Sequence, residues 1–360
     1  MADIYVTTSG NDSSGNGSVG SPYLTISKAF AAASNYDVII VNDSGTYTVV
    51  EGGANQVISA TGVLKTALTF KAGENCNPIF DGGGSATYAL KTYNSWTIQG
   101  LTFRNFVDAT AGTGTGVIRQ VTNHRVGFVY DCVFHNITGA AVNVQKAGTK
   151  VERNKIYDLD GHAAIYVGIA VGNEVNNNII YNTSARAIFA SQGTIEHNTI
   201  YNSPRELDAH GTTAYRNYTI QGKYIRYNIV EKTNVIIAGV RAISGETRYN
   251  CVTGAYSTTH SPNNYYNNSP GTGDIQTSPE FTDKNNADFT FPTSSPCFQG
   301  AHTSSMGQDQ QRFDRTWQYD DKIFGHNTAG PHEMGALEKH PSRIMGVNTS
   351  DIAKVLGNAG

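Results

Sequence analysis

The chain has 360 residues, 39% of them hydrophobic, which is enough to bury a large core. Lys plus Arg number 26 against 29 Asp plus Glu, a formal net charge of −3. That balance excludes a nucleic-acid partner held by phosphate neutralisation and argues against attachment to anionic lipid.

The first elements form a cap. Asp3 to Thr7 reads as a short strand, and residues 9 to 22 (SGNDSSGNGSVGSP) as a loop. From Leu24 to Ala33, Ile26, Phe30 and Ala33 fall on one helical face, so a short helix is predicted. Asp37 to Val41, Leu68 to Phe70 and Pro78 to Phe80 read as buried strands separated by turns.

The middle carries an internal repeat. Its lines begin at Thr97 (TIQGLTFRNF), Phe128 (FVYDCVFHNITG), Val151 (VERNKIYDLDG), Val175 (VNNNIIYNTS), Ile195 (IEHNTIYNSP), Ile225 (IRYNIVEKT) and Thr247 (TRYNCVTG). Each runs apolar, two polar, Asn or Asp, one residue, then Ile, Val or Phe. The shared polar position falls at Asp131, Asn154, Asn178, Asn198, Asn228 and Asn250, in steps of 23, 24, 20, 30 and 22 residues. Such a turn cannot bury its apolar face alone, so neighbouring turns must stack. Ile156, Ile180, Ile200 and Val230 should form one inward file, and Val151, Val175, Ile195 and Ile225 another. The Asn positions should form a ladder at a sharp bend, since Asn tolerates left-handed backbone and bonds to neighbouring turns. The step of 30 places an inserted loop at Pro204 to Tyr218. The leucine pattern and helical segments of a leucine-rich repeat are missing. The predicted fold is all-β, a right-handed parallel β-helix, with a short N-terminal capping helix. Residues 1–50 form the cap and first strands, 51–257 the β-helix turns, 258–340 a loop-rich closure of the solenoid, and 341–360 a tail.

Cys76, Cys132, Cys251 and Cys297 make no CxxC pair. They read as buried inert thiols, with one long-range disulfide left open. The N-terminus shows no basic region followed by an apolar run, and no apolar stretch is long enough for a membrane span, so neither signal peptide nor membrane span is predicted.

The opening IYVTTSGNDSSGNGSVGSPYLTISKAF with DVIIVNDSGTY resembles the start of right-handed β-helix proteins of the pectate-lyase-like superfamily. SPEFTDKNNADFTFPTSSPCFQGA and GPHEMGALE resemble the end of choice-of-anchor Q domain proteins, with Glu333 where that family commonly has aspartate. The tail SRIMGVNTSDIAKVLGNAG resembles those of some phage structural proteins. The superfamily includes polysaccharide lyases, hydrolases, surface proteins and phage tailspikes. The resemblance therefore implies a fold and leaves the chemistry open.

Lyase action on an acidic sugar needs a base near the C5 proton and a group that neutralises the carboxylate. In such enzymes that means Lys or Arg as base and Ca²⁺ or a second cation opposite. With the turns in register, Asp158, Asp160 and His162, then Arg186, then Arg205, Glu206, Asp208 and His210 share one face, with Lys232 beside them. Arg186, Arg205, Lys232, Glu206, Asp208 and His210 are the catalytic candidates. Asp158, Asp160 and Asp208 are candidates for Ca²⁺, should the protein be a lyase; otherwise no cofactor is predicted. Surface ion pairs of small energetic value are the plain alternative for this cluster. Tyr157, Tyr181 and Tyr201 follow the inward Ile of successive turns and, with His162, are candidates for substrate binding; lateral stacking that protects the solenoid is the alternative.

The functional expectation is a non-catalytic virion or surface structural β-helix protein with glycan binding. A polysaccharide lyase is the alternative, and a glycoside hydrolase the third reading. Expected partners are a polysaccharide or host-surface glycan and other virion proteins, with a homotrimer as the assembly and a virion or extracellular location.

Overall fold

The computed structural model describes residues 1–50, 58–59, 67–92, 96–107, 116–120, 127–144, 147–161, 163–168, 171–184, 186–203, 218–231, 238–248, 250–253, 277–289, 343–344 and 347–348. Within the described solenoid, consecutive strands do not pair with each other, apart from Asp3–Val6 with Val38–Val41. Each pairs in parallel with the strand one turn earlier and one turn later. A first column runs through Asp3–Val6, Val38–Val41, Leu68–Ala72, Trp96–Gln99, Gly127–Tyr130, Lys150–Glu152 and Glu174–Asn176. A second runs through Thr46–Thr48, Ile79–Asp81, Thr102–Arg104, Val133–Thr138, Lys155–Asp160, Ile179–Thr183, Thr199–Tyr201, Ile229–Glu231 and Cys251–Val252. A third runs through Ile58–Ser59, Leu90–Thr92, Ile118–Gln120, Val142–Asn143 and Ile165–Tyr166. The strand Ile188–Glu196 pairs at one end with the third column and at the other with the first, so the two columns merge there. The molecule is a right-handed parallel β-helix, as the repeat implies.

Strand alternation builds the core, since residues two apart share a face. In the first column Ile39, Phe70, Ile98, Val129, Val151, Val175, Ile195 and Ile225 lie in register and buried. In the second, Tyr47, Phe80, Phe103 and Phe134 stack ring on ring 5.1–5.4 Å apart. Ile156, Ile180, Ile200, Val230 and Val252 continue that file in register. Both predicted inward files are present.

The start of the solenoid is covered by the helix Ile26–Ala32, shorter than the predicted 24 to 33. Thr25 caps it, accepting from the Lys28 amide at 3.1 Å. Asp12 fixes the cap in turn, accepting from the Leu24 and Thr25 amides and, at 2.6 Å, from the Thr25 hydroxyl. Ile26 and Ala29 enter the core.

The bend from first to second column takes two residues and explains the repeat. Asn154, Asn178, Asn198, Asn228 and Asn250 point inward, fully buried. Each Oδ1 accepts from the amide of the corresponding residue one turn earlier at 3.0 Å. Each Nδ2 donates to a first-column carbonyl: Val129, Val151, Val175, Ile195 and Ile225. Two details differ from the sequence reading. The left-handed residue is the one before the ladder Asn: Asp131, Arg153, Asn177, His197 and Tyr227 have φ of 55–57°. Asp131 therefore belongs to the outward position, and the ladder begins at Cys132, whose amide donates to Asn154. An apolar–polar–polar pattern cannot tell the two residues apart; only strand register does.

A second left-handed series, Asn105, Asn136, Asp158, Asn182 and Asn202, bulges the second column outward. Through this bulge two consecutive residues face out, as with Tyr157 and Asp158. Cys251 is disulfide-bonded, the alternative that the sequence left open, whereas Cys76 and Cys132 are free, Cys132 buried and Cys76 only half-buried. Among the described residues no helix is long and apolar enough to cross a membrane. In the tail, Arg343–Ile344 pairs antiparallel with Val347–Asn348.

Candidate functional site

Arg205, Glu206, Asp208, His210, Lys232 and His162 lie outside the described residues. Of the predicted cluster, Asp158, Asp160 and Arg186 are placed. Asp158 is exposed and accepts from Asn182 at 3.2 Å. Asp160 ends its strand and accepts from the Ser184 hydroxyl at 2.5 Å, while Ser184 Oγ accepts from the Gly161 amide at 3.0 Å. Arg186 lies at the same bend one turn on, its carbonyl accepting from Ala164. The register places Asp158 and Asp160 beside Asn182 and Ser184 one turn on, with Arg186 at the following bend. Among the described residues no group of three or more His, Cys, Asp or Glu is placed to hold a metal.

The tyrosine file is present but does not offer ring faces to a ligand. His135, Tyr157 and Tyr181 stack nearly parallel at 4.9–5.0 Å, so each ring face is occupied by its neighbour. Tyr181 is buried, and Phe289 covers it and Tyr201 at 5.1 and 5.8 Å. Lys155 Nζ lies 5.6 and 5.7 Å from the Tyr157 and Tyr181 ring centres. Face stacking of a sugar on Tyr157 or Tyr181 is sterically closed, and only ring edges remain on Tyr157. Lateral stacking that protects the solenoid describes these residues.

The first column's outer face is charged, and its charges are matched. Arg153 grips Asp131 through Nε at 2.7 Å and a second nitrogen at 3.1 Å, and lies over the Tyr130 ring. Lys150 pairs with Glu174 at 2.9 Å, and Arg226 with Glu196 at 3.6 Å. Burial raises the Glu152 carboxyl above its ordinary value; Lys150 and Arg153 oppose this only in part, and Glu174 adds to it. The folded state therefore holds the Glu152 proton more tightly than the unfolded chain. The favourable contribution is complete below the unfolded value and is lost as pH rises through the folded one. Glu152→Gln should raise the melting temperature at neutral pH, and the gain should vanish below about pH 4. A melting series against pH checks this; a gain that persists in acid would mean that charge is not the cause.

The third column's outer face is different. Lys91, Arg119, Asn143, Tyr166 and Phe189 follow one another in register, one per turn. Tyr166 and Phe189 stack at 4.7 Å, and the Arg186 guanidinium lies 5.2 Å from the Phe189 ring centre. At these five register positions the charged residues are Lys91 and Arg119, both positive. Sequence reasoning missed this face, although a second short repeat marks it. Ala89-Leu90-Lys91, Val117-Ile118-Arg119, Ala141-Val142-Asn143, Ala164-Ile165-Tyr166 and Ala187-Ile188-Phe189 each read small or β-branched, aliphatic, then a residue on the side of the strand away from the core; of these last residues Asn143 alone is buried.

No protein-family model matches the chain, and no curated protein does. Among solved structures, the chain is similar to the pectate lyase Pel9A at 13% identity, over 94% of this chain and 97% of that one, with a TM-score of 0.54. It also aligns with a rhamnogalacturonan lyase (13% identity, 79% of this chain, 91% of that one, TM-score 0.38). An alginate lyase aligns at 11% identity over 77% of this chain and 39% of that one, with a TM-score of 0.38. The likeness to the pectate lyase is one of fold, and the alignment spans nearly the whole of both chains.

Proposed function

We propose that the protein binds an acidic polysaccharide along the outer face of the third column. The carrying observation is the positive charge on this column, Lys91 and Arg119 in register and Arg186 beside Phe189, with Asp160 at the neighbouring bend as the nearby acidic group. With strands stacked about 4.8 Å apart, a polymer laid along the solenoid axis would meet Lys91 and Arg119 on successive turns and Tyr166 and Phe189 on successive turns, with the buried Asn143 between the two pairs. Recognition here rests on charge and hydrogen bonding, since Tyr166 and Phe189 spend a face on each other. The solved structure to which the chain is similar is that of a pectate lyase, whose polymer is of this class, which agrees with the reading. An extracellular setting also agrees, because disulfides such as that of Cys251 persist in oxidising compartments.

Binding to polygalacturonate, alginate and a neutral glucan, measured by calorimetry at rising salt, tests the proposal. The acidic polymers should bind, with affinity falling as salt screens the charges. Alanine at Lys91, Arg119 and Arg186 together should weaken binding by at least about tenfold, or roughly 1.4 kcal/mol. Equal binding of the neutral glucan would sink the charge-based reading.

Two finer readings of activity follow. β-Elimination is favoured by the place of Arg186, a cation on this face at the bend that carries Asp160 and Ser184. Arg186 would serve as base, with Arg205 or Lys232 neutralising the uronate and Ca²⁺ on Asp158, Asp160 and Asp208. Ultraviolet absorbance of unsaturated products is its assay, and reducing ends without that absorbance would mean hydrolysis instead. A non-catalytic virion role, with other virion proteins as partners and a trimer as the assembly, rests on the resemblance of the tail sequence SRIMGVNTSDIAKVLGNAG to those of phage structural proteins. A monomer by solution mass measurement would remove the trimer.

A further inference from the structure

The ion pairs on the outer face of the first column use each cation once. Lys150 holds Glu174, Arg153 holds Asp131, and Arg226 lies 3.6 Å from Glu196. In this patch the four carboxylates Asp131, Glu152, Glu174 and Glu196 therefore face three cations. Glu152 keeps only a share of one: Arg153, already bidentate on Asp131, reaches it at 3.6 Å. The Glu152 side chain is 13% exposed, so this surplus charge lies largely out of water, where a poorly paired carboxylate is costly.

A second observation falls at the same place. Asn176 stands in register with Glu152 one turn on and is 9% exposed. Its Nδ2 donates to Glu152 Oε1 at 3.4 Å, which orients the amide. Its Oδ1 is buried, and among the described residues no donor reaches it. Asn177, the left-handed bend residue next in the chain, likewise has a buried Oδ1 without a donor. Buried acceptors are almost always satisfied, and here two of them accompany a surplus carboxylate. Within an amide, oxygen and nitrogen lie about 2.3 Å apart. An ion at the usual distance of roughly 2.3–2.6 Å from its ligands can therefore touch Asn176 Oδ1 and Glu152 together. Every atom offered is an oxygen, the donor set of a hard cation such as Ca²⁺ or Na⁺ and not of zinc or copper.

We propose that Glu152, Asn176 and Asn177 form a cation site on the first column, with one carboxylate and two amide oxygens as ligands and water completing the shell. The ion offsets the surplus charge, gives both amide oxygens a partner, and ties Lys150–Glu152 to Glu174–Asn176 one turn on. This inference is independent of polysaccharide binding on the third column and of the calcium ligands named for β-elimination.

Thermal melting of the full-length protein is the test, first in chelator, then with rising CaCl₂ or NaCl, ionic strength being held constant with choline chloride. Calcium or sodium should raise the melting temperature by roughly 3 °C or more at about a hundredfold above its dissociation constant. Glu152→Gln and Asn176→Leu should each abolish the rise, while Asp158→Asn keeps it. The advantage expected of Glu152→Gln at neutral pH belongs to the ion-free protein and should disappear when the ion is added, which a merely weakened fold would not produce. No rise with either ion would overturn the proposal. So would a rise that survives both substitutions, or one that choline chloride gives equally.

Discussion

Replacing Asn178 by leucine should destabilise the solenoid by about 3–5 kcal/mol, because several buried groups lose their partners at once, each worth roughly 1–3 kcal/mol. Asn178 Oδ1 accepts from both the amide and the Nδ2 of Asn154 at 3.0 Å. Its Nδ2 donates to the Val151 carbonyl at 2.9 Å and to Asn198 Oδ1 at 2.9 Å. Leucine preserves the volume and removes every one of these bonds, at a fully buried position. Aspartate would keep the acceptor and lose the donor, so Asn178→Asp should fall between leucine and the native protein at neutral pH. Denaturant melts of the three proteins check the order. A leucine variant within about 1 kcal/mol of native would show that the ladder is not a source of stability.

Phe103→Ala should cost about 3–5 kcal/mol for a different reason, the cavity left in a dry file. Phe103 is fully buried, with Phe80 at 5.4 Å on one side and Phe134 at 5.1 Å on the other. Neither neighbour can move into the gap, since its height is set by strands hydrogen-bonded above and below. Phe103→Leu fills most of the space and should cost about 1–2 kcal/mol. The loss should first appear as faster hydrogen exchange in Ile79–Asp81 and Val133–Thr138, because a turn contacts only its neighbours. An alanine variant that behaves like the leucine one would mean that the file relaxes.

Much of the architecture could be read before any coordinates. The line VNNNIIYNTS places Asn178 at a bend and Ile180 inward, and both are so. The same reading put Asp131 on the ladder, one residue early. FVYDCVFHN offers an Asp where the pattern wants a polar residue, and only the pairing of Val133 with Lys155 shows that Cys132 holds the place. The third-column repeat was equally present in the letters. It escaped notice because its outward residue changes from Lys through Asn to Phe, so no residue type recurs to mark it.

The sequence by itself determined the stacking of turns, the two inward files and the Asn bend. These follow from periodicity: a residue's distance along the chain from its equivalent one turn away sets what it stacks on. The tertiary structure alone decided what covers each outer face. Tyr157 and Tyr181 occupy equivalent positions, yet Tyr181 is buried, because Phe289, more than a hundred residues later, returns to lie on it. No local pattern encodes that return. Alternation within a strand fixes which side of the sheet a residue takes, but its solvent exposure, and with it any binding role, depends on which distant segment is brought to that side.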